Sequence, residues 1–295
     1  MREEKTAFVL AGGGSLGAIQ VGMLKSLLAH GVKPDIVVGA SAGAINGAYI
    51  AGRPDVQGVA ELERLWLTTQ RSDIFPLKLS TFVRLLVKRD FLLDPAGLEA
   101  LVERHLPYKR LEDATVPIHI VTTDFLSGGM RVYSSGPAAR AVVASCAIPA
   151  AFPSIAFHGR FLVDGGITSN TPIKLARDLG ASRLIILPTG HACALREPPR
   201  GAIASALHGL TLLVAGQIVH ELETLGPECR SHVVPSLCPL SSTAYDFTQT
   251  KTLIDRAERQ TADWLQDGGM DNCDIPAALR PHEHYGRRNR HVRTP

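Results

Sequence analysis

The chain has 295 residues, of which 45% are hydrophobic and 20% charged, and its formal net charge is +3. This length and composition suit a globular protein with a large buried core. Its basic residues form no stripe interleaved with aromatic residues, which argues against a nucleic-acid partner. Its five cysteines are widely spaced and form no C-x-x-C pair. A disulfide framework is therefore not expected, and a reducing, cytoplasmic location is favoured.

Two apolar stretches bear on targeting. The N-terminal sequence MREEKTAFVL has too few apolar residues before its glycine run for a signal-peptide core. Residues 201–219 lack Asp, Glu, Lys and Arg and are long enough to span a bilayer. His208, Gln217 and three glycines interrupt this stretch. We interpret it as a mostly buried helix of a soluble protein.

The N-terminal part of the chain alternates short apolar runs with helical patterns. Residues 6–10 and 36–38 predict buried strands, and residues 17–28 and 42–51 predict the helices that follow them. This rhythm implies right-handed crossovers and a mainly parallel sheet covered by helices on both faces. The predicted fold class is α/β, a three-layer α/β/α sandwich.

Further elements follow along the chain. Amphipathic helices are expected within residues 55–110. Further strands are predicted at 118–122, 130–133, 160–163 and 184–187, with helices at 173–178 and 247–265. No internal repeat is present. We expect one domain over residues 5–270, followed by a polar, Arg-rich, disordered tail over residues 271–295.

A candidate nucleophile follows the second predicted strand. Gly39, Ala40, Ser41, Ala42 and Gly43 fit G-x-S-x-G, in which a serine lies on a sharp turn between a strand and a helix. The N-terminus of the following helix would favour negative charge at this serine. A glycine-rich turn with an N-cap serine is the structural alternative.

A glycine run follows the first predicted strand. It contains Gly12, Gly13, Gly14, Ser15 and Gly17. Glycines let backbone N–H groups approach a ligand closely, so this run can form an oxyanion hole. A purely structural turn remains an alternative.

The same run also fits the dinucleotide-binding pattern through Gly12, Gly14 and Gly17. An oxidoreductase of that type needs an acidic residue after the second strand. Asp35 precedes that strand, and the turn of Ser41 follows it. Both facts weigh against this alternative.

The general base for Ser41 could be a histidine or an aspartate. Four downstream histidines are candidates for a Ser-His-Asp triad, namely His191, His208, His220 and His232. Asp164 is marked more sharply, because it follows an apolar run and precedes Gly165 and Gly166. Ligands bind at the carboxyl ends of parallel strands, so we expect Asp164 to meet Ser41 there. An aspartate in an ordinary strand-ending turn is the alternative.

Together, the three motifs resemble those of the patatin-like phospholipase family from about residue 5 to 265. The resemblance implies a patatin-like fold and a lipid acyl hydrolase of the phospholipase A, lysophospholipase or carboxylesterase type. It implies a catalytic dyad of Ser41 and Asp164 without a cofactor, and an oxyanion hole in residues 12–17. Residues 144–154 also resemble the family pattern, as do Asn170 and Pro172 after the aspartate.

The chain departs from the pattern at Leu16, where many family members carry an arginine. This departure leaves a preference for anionic head groups open. The implied partner is a lipid or another acyl ester, with transient contact to a membrane surface. Residues 74–106 and 201–219 could line an acyl groove or touch a bilayer, although a buried core face is the simpler interpretation of each.

Three further interpretations come from the sequence. The tail arginines, Arg287, Arg288, Arg290 and Arg293, read as a solvated charge run. No metal site is predicted, because His282 and His284 have no further ligands at useful spacing. A lipid-binding scaffold without turnover is an alternative function, which the presence of both Ser41 and Asp164 disfavours. The sequence does not predict an oligomeric state.

Overall fold

The computed structural model describes residues 4–69, 94–226 and 229–284. In these residues, eight strands form one sheet in the order β5-β6-β3-β2-β1-β7-β8, with β4 paired to β3. The strands are β1 Thr6–Leu10, β2 Ile36–Ala40, β3 Ile118–Asp124, β4 Met130–Tyr133, β5 Ile155–Phe157, β6 Arg160–Asp164, β7 Arg183–Leu187 and β8 Arg230–Val233. Neighbouring strands in the series β3-β2-β1-β7-β8 are parallel. Strands β4 and β6 pair antiparallel with β3, and β5 pairs antiparallel with β6.

Helices cover both faces of this sheet. They are α1 Gly17–Ala29, α2 Ala42–Gly52, α3 Val56–Thr68, α4 Ala96–His105, α5 Ala138–Ser145, α6 Gly166–Ser169, α7 Ile173–Asp178, α8 Ala202–Glu223 and α9 Thr250–Gln266. Alternate residues of β1 belong to two separate cores, with Phe8 and Leu10 in one and Ala7 and Val9 in the other. The first core also takes residues from α1 to α5 and α9, and the second takes residues from α7 and α8. The predicted three-layer α/β/α sandwich is confirmed.

Several helices and strands of the structure were not predicted from the sequence. The short helix α5 and strands β5 and β8 were not predicted. Strand β8 reads RSHV, so it lacks an apolar run, and its place in the sheet comes from pairing with β7. Part of the predicted helical region, residues 70–93, lies outside the described residues.

Helix α8 is less buried than expected. Ile218 and Leu222 reach the second core, whereas Leu212 and Leu213 are 48% and 69% exposed. The interpretation of residues 201–219 as mostly buried is therefore wrong, because the helix lies on the outer layer and, of the side chains described within this stretch, only Ile218 is buried in the second core. None of the described helices combines the length and apolar character needed to cross a membrane.

The segment predicted as a tail begins with packed residues. Leu279 is buried in the second core, and Ile275 packs against it. The composition of this polar segment gave no sign of that packing. Residues 285–295, which include the tail arginines, lie outside the described residues.

Candidate active site

Ser41 lies between the end of β2 and the start of α2. Its φ of 52° and ψ of −124° place a non-glycine residue at positive φ, which is a strained conformation. The turn is tight enough that a Cβ on Gly39 would collide with the backbone of Gly43. The N–H of Ser41 donates to Ser145 Oγ at 2.9 Å, and that hydroxyl donates to the Val121 carbonyl at 2.6 Å. These bonds support the strained turn, as expected for a nucleophile elbow.

Strand register brings Asp164 to this turn. Strand β4 occupies one edge of β3, so β2 and β6 share the other edge. Strand β2 pairs with residues 118–121 of β3, and β6 pairs with residues 122–124. Asp164 therefore lies just beyond the end of β2. The prediction that Asp164 ends a parallel strand is wrong, because β6 runs antiparallel to β3.

Ser41 and Asp164 make a direct hydrogen bond. The Ser41 hydroxyl donates to Asp164 Oδ2 at 2.7 Å, and the Gly166 N–H donates to Oδ1 at 2.8 Å. Ser41 and Asp164 are each 7% exposed. Burial raises the pKa of Asp164 to about 6, against the opposing effect of the two hydrogen bonds. The carboxylate is therefore ionised at neutral pH and is a stronger base than a solvated aspartate.

Most backbone N–H groups of the glycine loop are already engaged. Gly12 donates to the Asn170 carbonyl at 2.9 Å, and Ser15 donates to the Ala244 carbonyl at 2.8 Å. The N–H of Gly17 donates back into the preceding turn. The N–H of Leu16 donates to the Gly13 carbonyl at 3.1 Å, so these four N–H groups are not available to a ligand.

The remaining two N–H groups of this loop belong to Gly13 and Gly14. They make no hydrogen bond to any residue that the structure describes, and both glycines line the same recess as Ser41. The Gly12 carbonyl accepts from Thr189 Oγ1 at 2.7 Å and from Asn170 Nδ2 at 3.3 Å. Because the carbonyl and N–H of a trans peptide point in opposite directions, these bonds also fix the orientation of the Gly13 N–H.

Gly14 adopts a φ of 57°. A Cβ at this position would also collide with the Ala244 carbonyl. Both constraints favour glycine here, and they keep the backbone of the loop beside Ser41.

The active-site recess above the dyad has mainly apolar walls. Its apolar lining includes Ile148, Pro149, Ile167, Leu210, Val214 and Tyr245. Burial and the charge of Asp164 raise the pKa of Tyr245 to about 12, so this phenol stays neutral at physiological pH. Leu16 is fully buried in the first core and does not line the recess. The recess suits an apolar chain next to a reacting carbonyl.

The other candidate bases lie elsewhere. Among the described residues, no histidine hydrogen-bonds to Ser41 or Asp164. His232 is buried on β8, where its Nδ1 contacts the Asn272 carbonyl at 3.0 Å. Asp35 lies before β2, where its carboxylate accepts from the Thr6 N–H at 2.8 Å. That position does not suit the ribose contact of a dinucleotide-binding site.

Sequence reasoning missed two supporting residues. Ser145 holds the Ser41 backbone, and it lies within residues 144–154, a stretch noted only for its family resemblance. Thr189 follows β7, so the rule that ligands gather at the carboxyl ends of parallel strands could have identified it. A role for Asn170 in the glycine loop also becomes visible only in three dimensions.

Comparison with known proteins identifies the family. The family model for patatin-like phospholipases matches residues 8–177. Patatin-like phospholipase domain-containing protein 7 of Rattus norvegicus is 30% identical over 186 residues, and protein 6 of Homo sapiens is 31% identical over 186 residues. Each alignment covers 62% of this chain and 13% of the relative.

A solved structure also aligns with most of the chain. VipD of Legionella pneumophila aligns with a TM-score of 0.46 and 16% identity, covering 90% of this chain and 67% of VipD. The family match covers both the serine turn and Asp164. The predicted resemblance is confirmed, and the chain belongs to the patatin-like phospholipase family.

Proposed function

We propose that the protein is a lipid acyl hydrolase that uses Ser41 as nucleophile and Asp164 as general base. Family membership supports the reaction class. The observation that carries the proposal is the 2.7 Å hydrogen bond from the Ser41 hydroxyl to Asp164 Oδ2. This bond is oriented for proton transfer from the attacking oxygen.

In the first half of the reaction, Ser41 Oγ attacks the ester carbonyl while Asp164 accepts the hydroxyl proton. The carbonyl oxygen gains negative charge, which the N–H groups of Gly13 and Gly14 stabilise together with the N-terminus of α2. The tetrahedral intermediate then collapses. The C–O bond to the leaving alcohol breaks, Asp164 returns its proton to that alcohol, and an acyl-enzyme remains.

In the second half, water attacks the acyl-enzyme. Asp164 accepts a proton from this water, and the same backbone N–H groups stabilise the second oxyanion. Collapse breaks the bond to Ser41 Oγ, which takes the proton back, and a fatty acid is released. Both halves use only side chains and backbone N–H groups of this chain.

The recess supports an acyl-chain substrate. Its apolar lining from α8 and Ile148 suits the hydrocarbon part of a lipid ester. Leu16 is a fully buried aliphatic side chain and does not line the recess, so this position offers no cation to a head group. We therefore propose that binding depends more on the acyl chain than on an anionic head group.

Transient contact with a lipid surface is also part of the proposal. Leu212 and Leu213 are exposed on α8, and Leu210 and Val214 of the same helix line the recess. This places apolar surface beside the entrance. We also propose a reducing, cytoplasmic location, which the wide spacing of the five cysteines along the sequence supports.

Hydrolysis of a chromogenic acyl ester by purified variants tests the dyad. Ser41→Ala and Asp164→Asn should each lower kcat by at least ~10³-fold, because each removes a reacting group. Ser127→Ala and Asp178→Asn, in an exposed turn and at an exposed helix end, are matched controls and should retain normal turnover. Unchanged activity in either dyad variant contradicts the mechanism. An inactive wild type that still binds lipid would favour a non-catalytic scaffold.

A further inference from the structure

Four potential metal ligands converge at a distance from the dyad. Cys193, Cys238, His282 and His284 form what we call the Cys–His cluster, and one ligand atom from each lies within 4.8 Å of the others. His284 Nε2 lies 3.3 Å from Cys193 Sγ and 3.2 Å from Cys238 Sγ. His282 Nε2 lies 3.2 Å from Cys238 Sγ and 3.0 Å from His284 Nε2.

These separations are close to those of a tetrahedral zinc site. Zn–S bonds of about 2.3 Å and Zn–N bonds of about 2.0–2.1 Å place sulfur and nitrogen ligands roughly 3.5 Å apart, and two nitrogens roughly 3.3 Å apart. Three of the four sulfur–nitrogen distances in the cluster are 3.2–3.3 Å, and the two Nε2 atoms are 3.0 Å apart. A small expansion of the cluster would accommodate the ion.

The chemistry of the donor set also favours zinc. Two thiols and two imidazoles are the ligand set of many structural Zn²⁺ sites. His282 Nδ1 contacts the Arg280 carbonyl at 2.7 Å. This bond requires the proton on Nδ1, which leaves the lone pair of Nε2 directed at the cluster. An outer hydrogen bond of this kind commonly orients a metal-binding histidine.

The ligands come from three separate segments. Cys193 lies in the loop after β7, and Cys238 lies in the loop after the neighbouring strand β8. The N–H of Ala194 donates to the Leu240 carbonyl at 2.9 Å, so these two loops are directly joined. The two histidines come from the C-terminal segment. A metal site was not predicted, because the cysteines and histidines show no recognisable ligand spacing along the chain.

We infer that the Cys–His cluster binds one zinc ion as a structural site. Binding converts both thiols to thiolates and releases two protons, while each histidine coordinates through Nε2 as a neutral ring. Four protein ligands complete a tetrahedral shell and leave no position for a reacting water. The inference does not depend on the proposed hydrolase activity.

A zinc ion here would hold together the loops that support the glycine turn. Thr189, which bonds to the Gly12 carbonyl, lies four residues before Cys193. Ala244, which accepts from the Ser15 N–H, lies six residues after Cys238. The ion would also attach the C-terminal histidines to the domain, which extends the folded unit beyond residue 270 to at least residue 284.

Metal content of the full chain, purified with a thiol-free reductant and without a metal-affinity tag, tests the inference. We expect one zinc ion per chain in the wild type by elemental analysis. Cys238→Ser and His284→Asn should lower zinc occupancy by roughly tenfold or more at equal free zinc. Cys273→Ser and His220→Asn change an exposed cysteine and an exposed histidine, and both should retain the ion.

Cobalt(II) gives a second measurement, which starts from the wild type. Adding Co²⁺ to the metal-free wild type should produce a thiolate-to-cobalt charge-transfer band and the intense visible bands of a tetrahedral site. Cys193→Ser should lower the charge-transfer intensity by about half, since one of two thiolates is lost. Zinc should then displace the cobalt and remove these bands.

Three results would overturn the zinc assignment. The first is a reduced wild type that neither contains zinc nor develops the cobalt bands. The second is full zinc occupancy in a folded Cys238→Ser variant. The third is a Cys193–Cys238 disulfide in protein isolated under reducing conditions, because it would remove both thiolates from the site.

Discussion

The part of the chain that the family model matches and the part that follows it contribute different things to one site. Residues 8–177 supply Ser41, Asp164 and the glycine loop. Residues after 177 supply Thr189, the wall from α8, and the Ala244 carbonyl that holds Ser15. The proposed reacting groups thus come from the first region, which also supplies Ser145 as a support, whereas further supports come from the second. Changes in the first region should abolish chemistry, and changes in the second should weaken or redirect it.

The two regions also differ in exposure. Ser41 and Asp164 are each 7% exposed, and every polar atom of the dyad has a hydrogen-bond partner. On α8, Leu212 and Leu213 remain largely exposed beside residues that line the recess. A buried, fully hydrogen-bonded pair of side chains therefore adjoins a helix with exposed apolar residues.

The largest effect from the second region is expected at Thr189. Thr189→Val removes the hydroxyl that fixes the Gly12 carbonyl, and with it the orientation of the Gly13 N–H. We expect kcat to fall about 10- to 100-fold with little change in KM, because removing a hole donor outright costs ~10²–10³. Steady-state kinetics on a soluble ester measures this split.

Two variants control for a general structural effect. Thr189→Ser keeps the hydroxyl and should restore most of the turnover, while Thr224→Val loses an exposed hydroxyl at the end of α8 and should be near normal. Equal losses in Thr189→Val and Thr189→Ser would show that packing matters here and orientation of the loop does not.

The next effect is a pH dependence of the free energy of unfolding that comes from Asp164. The pKa of Asp164 is about 6 in the folded state, above its ordinary value of 3.8. The folded state therefore binds its proton more tightly than the unfolded state, and the protein loses stability as pH rises from about 4 through 6. A shift of this size corresponds to roughly 3 kcal/mol.

Asp164→Asn removes this penalty while keeping the side-chain shape. At pH 8 the variant should have a higher free energy of unfolding than the wild type by up to roughly 3 kcal/mol, and the gain should vanish toward pH 4. Denaturant unfolding at pH 8 and pH 4 measures this difference in the free energy of unfolding. Asp178→Asn should change stability by less than ~0.5 kcal/mol. A destabilised Asp164→Asn at pH 8 would argue against a costly buried carboxylate.

The smallest effect is expected at the exposed face of α8. Leu213→Glu places a charge on a side chain that is 69% exposed, so the fold should tolerate it. We expect a several-fold loss of flotation with phosphatidylcholine vesicles, since insertion of an exposed leucine contributes about 1.5–3 kcal/mol at most. Hydrolysis of a soluble short-chain ester should be unchanged.

Leu67→Glu gives a matched comparison. Leu67 is 44% exposed on α3, on the opposite face of the sheet. The Leu67→Glu variant should bind vesicles as the wild type does. Equal binding by both variants would show that the face beside the recess has no special affinity for lipid.

An element could be predicted from the sequence where a short stretch of the chain contains the whole pattern. The apolar runs of β1, β2 and β7 and the G-x-S-x-G turn are short patterns, and the structure has each of them. Strand β8 has no such pattern, and only its pairing with β7 makes it a strand. The direction of β6 is likewise set by its register on β3, which no local pattern encodes.

The same distinction applies to the candidate site. Ser41 and Asp164 carry motifs, so their pairing could be predicted although they are 123 positions apart. The bonds that occupy the N–H groups of Gly12 and Ser15 could not be predicted, because their partners, Asn170 and Ala244, are distant in sequence. The Cys–His cluster is the extreme case, since its ligands come from three separate segments.

Labelling by a fluorophosphonate probe, mapped by mass spectrometry and followed against pH, tests the Ser41–Asp164 pair most directly. The account predicts a single adduct on Ser41, whose formation rate rises through a midpoint near the Asp164 pKa of about 6. At pH 8 the Asp164→Asn variant should react at least ~10²-fold more slowly. An adduct on another residue, or equal labelling rates in the two proteins, would contradict the assignment of Asp164 as the base for Ser41.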